Sequence, residues 1–335
     1  MGPVPLSPGM RTSVDRGTRA AAGTAAQAVA GSPRLWLLGI VAFAVRGGLV
    51  LLTLPILTVP SPVLLSILFR DEIGTSGPTP ELQATAVALA IATALGVLVA
   101  IMVSAWCDLL AFEAVTRDDT TLDLRLGRPP RPFGTARTSV LLWLAAIQAA
   151  AILPLLLLAM LMVGRLEGAV SSEVQRPSDL STPLILRVVG DMGGFLVVGL
   201  VLVAILEVLV SLASRRLLVA RAGLLPDGPG ERTESRLAIA GALRLVRRPV
   251  RELGVALVSW GVAVVTAVTA AASVTLAWAA TRPGLQALAL SGDTARLATA
   301  PVALALLCAI WLAVLCLCGL ATAFRTALWT MDALR

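Results

Sequence analysis

The stretch that decides the fold is ATAVALAIATALGVLVAIMVSAWC, residues 84–107, which contains no charged side chain. A helix rises about 1.5 Å per residue, so roughly 20 residues cross the ~30 Å hydrocarbon core of a bilayer. The run is rich in Ala, Val and Leu, and it lacks the alternation of apolar and polar residues that indicates a strand. We therefore expect a transmembrane helix here.

Similar apolar runs occur along most of the chain, and the composition of 57% hydrophobic and 14% charged residues is typical of a membrane protein. In lipid, helices satisfy their own backbone hydrogen bonds. The sequence predicts an all-α, polytopic bundle of six transmembrane helices over residues 35–335. The predicted spans are 35–58, 84–107, 139–163, 188–212, 253–280 and 299–320. Residues 1–34 are expected to form a flexible or weakly helical cytoplasmic tail.

The distribution of arginine indicates the orientation of the chain in the membrane. All 27 basic residues are arginine, and most of them lie in two connections between the predicted spans. These are the basic loops 116–138 and 213–252, whereas the connections on the opposite side hold far fewer arginines. Positively charged loops stay in the cytoplasm. The sequence therefore predicts a multi-pass protein of the bacterial plasma (inner) membrane with both termini cytoplasmic.

The segment LRLVRRPVRELG, residues 243–254, is the most basic part of the chain. On a helical projection its arginines share one face and its apolar residues share another, which indicates a helix in the cytoplasmic interface with a kink at Pro249. The arginines are candidate contacts for anionic lipid: Arg244, Arg247, Arg248 and Arg251. Nucleic acid is a weaker explanation, because the apolar face adjoins a predicted span.

Two charged residues within predicted spans are the main site candidates. Arg46 lies about 16 Å along a helix from Leu35, and Glu207 lies at a comparable depth in the fourth span. A charge inside a membrane needs a partner or a water-filled cavity, so we expect these two residues to pair. The pair would either fix helix packing or line a polar cavity. The glycines after Arg46, Gly47 and Gly48, indicate a bend or a close helix contact.

The other charges near span ends have simpler interpretations. Arg187 and Asp191 are four residues apart and are expected to form a salt bridge at the outer boundary. Asp108 and Glu113 are interpreted as ordinary residues of the cytoplasmic boundary.

The sequence predicts no catalytic residue, no metal site and no cofactor. It contains neither histidine nor lysine, which excludes the commonest zinc ligand and Schiff-base chemistry. Cys316 and Cys318 would face about 200° apart on a regular helix, so they are not expected to share an ion.

The spans, together with segments such as GALRLVRRPVRELGVALVSW at residues 241–260, resemble a loosely defined group of bacterial six-helix integral membrane proteins. One branch of that group is the membrane domain associated with some glycerophosphodiester phosphodiesterases. The resemblance covers most of residues 25–335 and carries no catalytic residue, since the phosphodiesterase domain is not in this sequence.

The sequence favours a non-enzymatic accessory, scaffold or lipid-associated component. Its expected partners are the lipid bilayer, including anionic lipids, and other membrane proteins. The alternative is a transporter of small solutes or lipids with a polar site around Arg46 and Glu207.

Overall fold

Long helices make up most of the computed structural model. It describes residues 8–56, 73–74, 77–118, 133, 137–175, 184–224, 234–243, 249–291 and 299–334. The helices are α1 (Pro8–Gly31), α2 (Pro33–Phe43), α3 (Leu49–Thr53), α4 (Pro80–Asp118), α5 (Arg137–Gln175), α6 (Leu184–Arg221), α7 (Glu234–Ala242), α8 (Pro249–Ser291) and α9 (Thr299–Ala333). A π-helical turn, Ala44–Gly48, joins α2 to α3. Two short antiparallel strands, β1 (Ile73–Gly74) and β2 (Gly77–Pro78), precede α4.

Six helical stretches within the described residues are long and apolar enough to cross a membrane, as the sequence predicts. They are Pro33–Thr53, Gln83–Arg117, Arg137–Leu166, Met192–Arg221, Pro249–Gln286 and Pro301–Ala333. Each overlaps one predicted span. In the second and third, no residue of the most apolar stretch is buried, so these helices expose apolar side chains that a bilayer would cover. The helical fold and the presence of six candidate spans are confirmed.

The N-terminal segment is helical where the sequence predicts a flexible or weakly helical tail. Helix α1 buries a stripe of small residues four apart, namely Ala21, Ala25 and Val29. Helix α1 ends just before Ser32, which has an extended backbone conformation, and Pro33 begins α2. Proline is suited to the first position of a helix, because the backbone N–H that it lacks would have no partner within the helix. The Val29 carbonyl near the end of α1 accepts hydrogen bonds from the Trp36 indole nitrogen at 2.6 Å and from the Ser32 backbone N–H at 3.3 Å.

The chain divides into two compact units. The first comprises Met1–Ala21, Thr120–Trp260 and Trp329–Arg335, and the second comprises Ala22–Asp119 and Gly261–Leu328. In the first unit α5 packs on α6 and the short helix α7 packs against the end of α6. Gly241 of α7 lies so close to α6 that a Cβ at this position would be 2.9 Å from the Ala213 Cα. In the second unit, Leu52 of α3 packs into a core with Ala270 and Val274 of α8 and Val314 and Cys318 of α9.

A glycine contact joins α2 to α9 within the second unit. A Cβ at Gly39 would meet the carbonyl oxygen of Gly319 and lie 2.9 Å from the Ala323 Cβ. A Cβ at Gly319 would lie 2.8 Å from the Ile40 Cα. Small residues let membrane helices approach closely and gain van der Waals contact, so these glycines set the separation of the two helices.

Replacement of Gly319 by alanine should lower the free energy of unfolding by about 1–3 kcal/mol, because the added methyl group forces α2 and α9 apart. Thermal unfolding of the purified protein in detergent measures the change. The matched control is Gly96→Ala in α4, where nothing lies within 4 Å of the added Cβ. That variant should unfold at the same temperature or slightly higher, because alanine favours helix over glycine. Equal effects of the two substitutions would contradict the close contact.

Candidate functional site

The first span is broken at Arg46 and Gly47. Arg46 has φ −79° and ψ 19°, and Gly47 has φ 93° and ψ 4°, so neither residue is helical. A φ of 93° lies in the left-handed region that side chains with a Cβ rarely adopt, which explains glycine at position 47. At the next position, a Cβ on Gly48 would overlap the ring of Phe43. The break therefore depends on both glycines, at the place where the sequence predicts a bend.

The guanidinium of Arg46 binds two side chains of α4. Its Nη2 lies 2.6 Å from Asp108 Oδ2, and its Nε donates a hydrogen bond to Ser104 Oγ at 2.8 Å. Ser104 and Asp108 are four residues apart and therefore lie on the same face of α4. Both are buried, whereas the Arg46 side chain is 39% exposed. Charge-assisted hydrogen bonds of this kind are about twice as strong as neutral ones.

The three residues of this polar cluster lie within the candidate spans. Helix α4 continues to Asp118, and its candidate span ends at Arg117. Asp108 is thus about 14 Å along the helix from that end. The helix runs on past the predicted limit at residue 107, and Asp108 pairs with Arg46. The position of Asp108 at the membrane boundary stays a prediction.

Helix α9 brings a second arginine near the same cluster. The charge of Arg325 interacts electrostatically with that of Arg46. Arg325 lies within the candidate span Pro301–Ala333 but beyond the predicted end at residue 320. The sequence analysis did not single it out, because it follows the predicted end of the sixth span.

Glu207, the predicted partner of Arg46, lies in α6 and is half-buried. It belongs to the first unit, whereas Arg46 belongs to the second. Within its own unit Arg46 pairs with Asp108. The pairing with Glu207 stays a prediction.

The other predicted site residues are described only in part. The side chains of Arg187 and Asp191 lie outside the described part of the structure, as do Arg244, Arg247 and Arg248. Pro249, the predicted kink, is the first residue of α8.

Arg251 is described, and it ties the start of α8 to the end of α9. Its Nε and Nη2 lie 2.8 and 2.7 Å from Asp332 Oδ1, and Nη2 also donates to the Asp332 carbonyl oxygen at 2.9 Å. Asp332 is buried and the Arg251 side chain is 26% exposed. The guanidinium predicted to contact lipid is thus engaged by a carboxylate of the same protein.

A cavity of about 360 Å³ lies between the start of α2 and the end of α4. It is lined by Arg34, Leu37, Leu38, Leu110, Glu113, Ala114 and Arg117. Its α4 wall begins two residues after Asp108, so the cavity follows the same pair of helices as the polar cluster. The cavity therefore combines two arginines and a carboxylate with apolar walls.

The described residues offer no group of three or more His, Cys, Asp and Glu side chains that could hold a metal ion. Cys318 is buried and Cys316 is exposed, so the two thiols point in different directions, as the helical spacing predicts. The chemistry available at the polar cluster is charge pairing and hydrogen bonding.

No protein-family model, curated protein or solved structure matches the chain.

Removal of either charge from the Arg46–Asp108 pair should destabilise the protein by about 3–5 kcal/mol, because the 2.6 Å charge contact is lost while the other charged side chain stays in an apolar environment. The double variant Arg46→Leu/Asp108→Leu should lose much less than the sum of the two single variants. Chemical unfolding of all four proteins in mixed micelles gives the coupling energy. Arg282→Leu, at an exposed arginine of α8, is the control and should change stability little. Additive effects at Arg46 and Asp108 would show that the two residues are not coupled.

Proposed function

We propose that the chain is a multi-pass protein of the bacterial plasma membrane, with both termini in the cytoplasm, that acts as a non-enzymatic, lipid-associated scaffold. The six apolar helices support the membrane placement. The arginine-rich connections 116–138 and 213–252 support the orientation through the positive-inside rule.

The observation that carries the scaffold role is the arrangement of charge around Arg46. The ion pair and the Ser104 hydrogen bond connect the broken first span to the second span inside one compact unit. Because the Arg46 guanidinium donates to side chains of the neighbouring helix α4, its contacts favour a role in helix packing. The Gly39–Gly319 contact holds the other side of α2 in the same unit.

The chemistry of the chain supports a role without catalysis. Enzymes that transfer protons near neutral pH use histidine most often, and enzymes that form Schiff bases use lysine. The sequence contains neither residue. Two of the charged side chains within the candidate spans, Arg46 and Asp108, are bound to each other.

A second candidate function is transport, and the break in the first span is the observation that favours it. Membrane transporters often bind substrates where a spanning helix is interrupted, because freed backbone groups there can contact a solute. A cavity is also present between α2, which precedes the break, and α4. Under this alternative, Arg46 and Asp108 would exchange their mutual contact for a contact with substrate.

The orientation is testable by labelling single cysteines in a variant that lacks Cys107, Cys308, Cys316 and Cys318. An impermeant thiol reagent added to intact cells should label Ser76→Cys, Ser178→Cys and Thr294→Cys. It should leave Thr121→Cys and Thr233→Cys unlabelled until the cells are broken, because the arginine-rich connections face the cytoplasm. The opposite pattern would contradict the orientation.

The function itself is testable by untargeted lipid and metabolite profiling of a deletion strain. We expect loss of the protein to change membrane lipid composition, and we expect both the native chain and Arg46→Leu/Asp108→Leu to restore it. The reason is that a packing pair can be replaced by apolar residues, whereas a substrate site cannot. Equal amounts of each protein in the membrane are the control. If the double variant is present but fails to correct one solute or lipid, transport explains the site and the scaffold proposal is wrong.

A further inference from the structure

The cavity between α2 and α4 has two walls of regular helical spacing. The α2 wall consists of Arg34, Leu37 and Leu38, and the α4 wall consists of Leu110, Glu113, Ala114 and Arg117. Positions three, four and seven residues apart share one helix face, so each helix presents a continuous surface to the cavity. Neither wall includes Arg46, Ser104 or Asp108, so the cavity is separate from the polar cluster.

The charged residues of the cavity lie at the ends of their helices. Arg34 is the second residue of α2, and Arg117 is the next-to-last residue of α4. Both side chains belong to exposed residues, and Glu113 is half-exposed between them. Two guanidinium groups and one carboxylate give the lining a formal charge of +1. The charge complements a singly charged anion.

The apolar residues of the cavity lie toward the interior of the same candidate spans. Leu37 and Leu38 follow Arg34 into Pro33–Thr53, and Leu110 precedes Arg117 within Gln83–Arg117. Ala114 is the smallest side chain of the α4 wall and leaves space where the other positions carry longer side chains. The cavity therefore has a charged end at the level of the helix termini and an apolar end directed along the spans.

We propose that this cavity binds an anionic phospholipid, with the phosphodiester held by Arg34 and Arg117 and the acyl chain against Leu37, Leu38 and Leu110. The inference rests on the proposed lipid-associated function and names the site and the ligand class. Arginine recognises phosphate oxygens through paired hydrogen bonds, and it does so at the interface where lipid headgroups lie. The apolar walls distinguish a lipid from a free anion, which would gain nothing from the leucines. A cavity of this volume lies within the roughly 300–1,000 Å³ range of ligand pockets and suits a headgroup with the adjoining part of a chain.

Native mass spectrometry of the full chain, purified in detergent, tests the site with three probes. These are short-chain phosphatidylglycerol, which is anionic, short-chain phosphatidylcholine, which has no net charge, and inorganic phosphate. The native protein should retain phosphatidylglycerol in preference to phosphatidylcholine. Inorganic phosphate at equal concentration should not displace the lipid.

Two variants separate the charged end from the apolar end. Arg34→Gln/Arg117→Gln should weaken phosphatidylglycerol binding about thirtyfold, from about 1 kcal/mol for each arginine, and should remove the preference for phosphatidylglycerol over phosphatidylcholine. Ala114→Leu fills the cavity without altering charge and should weaken both lipids. The control is Arg236→Gln, at an exposed arginine of α7 that does not line the cavity, and it should bind as the native protein does.

The outcomes separate two claims: that the protein associates with anionic lipid, and that this cavity is where the lipid binds. If the native protein prefers phosphatidylglycerol and both cavity variants bind it equally well, the lipid-associated function stands and this cavity is not the site. If the native protein has no preference for the anionic lipid, the inference is overturned and lipid association loses its support. Displacement by inorganic phosphate would assign the cavity to a free anion and would also overturn the proposal.

Discussion

A guanidinium group within an apolar span must have a partner, and the arrangement of the second unit follows from how Arg46 meets that requirement. A charge at the centre of a membrane helix costs about 2.5–3.5 kcal/mol on insertion scales. Asp108 and Ser104, one helical turn apart on α4, bind the group at 2.6 and 2.8 Å. This contact connects the first span to the second, and it lies well inside the candidate spans and not at their ends.

The broken helix and the ion pair belong together. Glycine at position 47 permits the left-handed backbone, and glycine at position 48 leaves room for the Phe43 ring. The two segments of the first span can therefore follow different directions around Arg46. On its other face α2 is fixed by the Gly39–Gly319 contact with α9, and beyond the break Leu52 anchors α3 in the core of α8 and α9. The break is thus held by packing on both sides, which is the physical basis for preferring a scaffold over a transporter.

The six spans could be predicted from sequence because apolar runs longer than the bilayer core have few alternatives to a transmembrane helix. The ends of those spans could not be predicted equally well, since a charged residue is compatible with both a boundary and a paired site. Asp108 and Arg325 illustrate this, because both follow predicted span ends, at residues 107 and 320, while α4 and α9 continue through them. The spacing of Ser104 and Asp108 was the available signal, because two polar residues four apart at the end of an apolar run share one helix face.

Contacts between segments that are distant in the sequence could not be predicted from the sequence alone. Gly39 and Gly319 are ordinary residues in a chain that contains 28 glycines, and only the tertiary structure shows that their helices touch. The pairing of Arg251 with Asp332 could not be predicted either, because the two residues lie on different helices and are 81 positions apart in the sequence. The bend at Gly47–Gly48 was predictable, since it depends on local backbone freedom alone.

The most direct test of the central claim is a dipolar-coupling measurement by solid-state NMR on the protein in lipid bilayers, between arginine guanidinium nitrogens and carboxyl carbons. The Arg46–Asp108 pair should give a coupling typical of direct contact, and that signal should disappear in Arg46→Gln and in Asp108→Asn. It should persist in Glu207→Gln. Loss of the signal in Glu207→Gln with no change in Asp108→Asn would contradict the account, because the partner of Arg46 would then be Glu207 and the two helices of the second unit would not be joined by this charge pair.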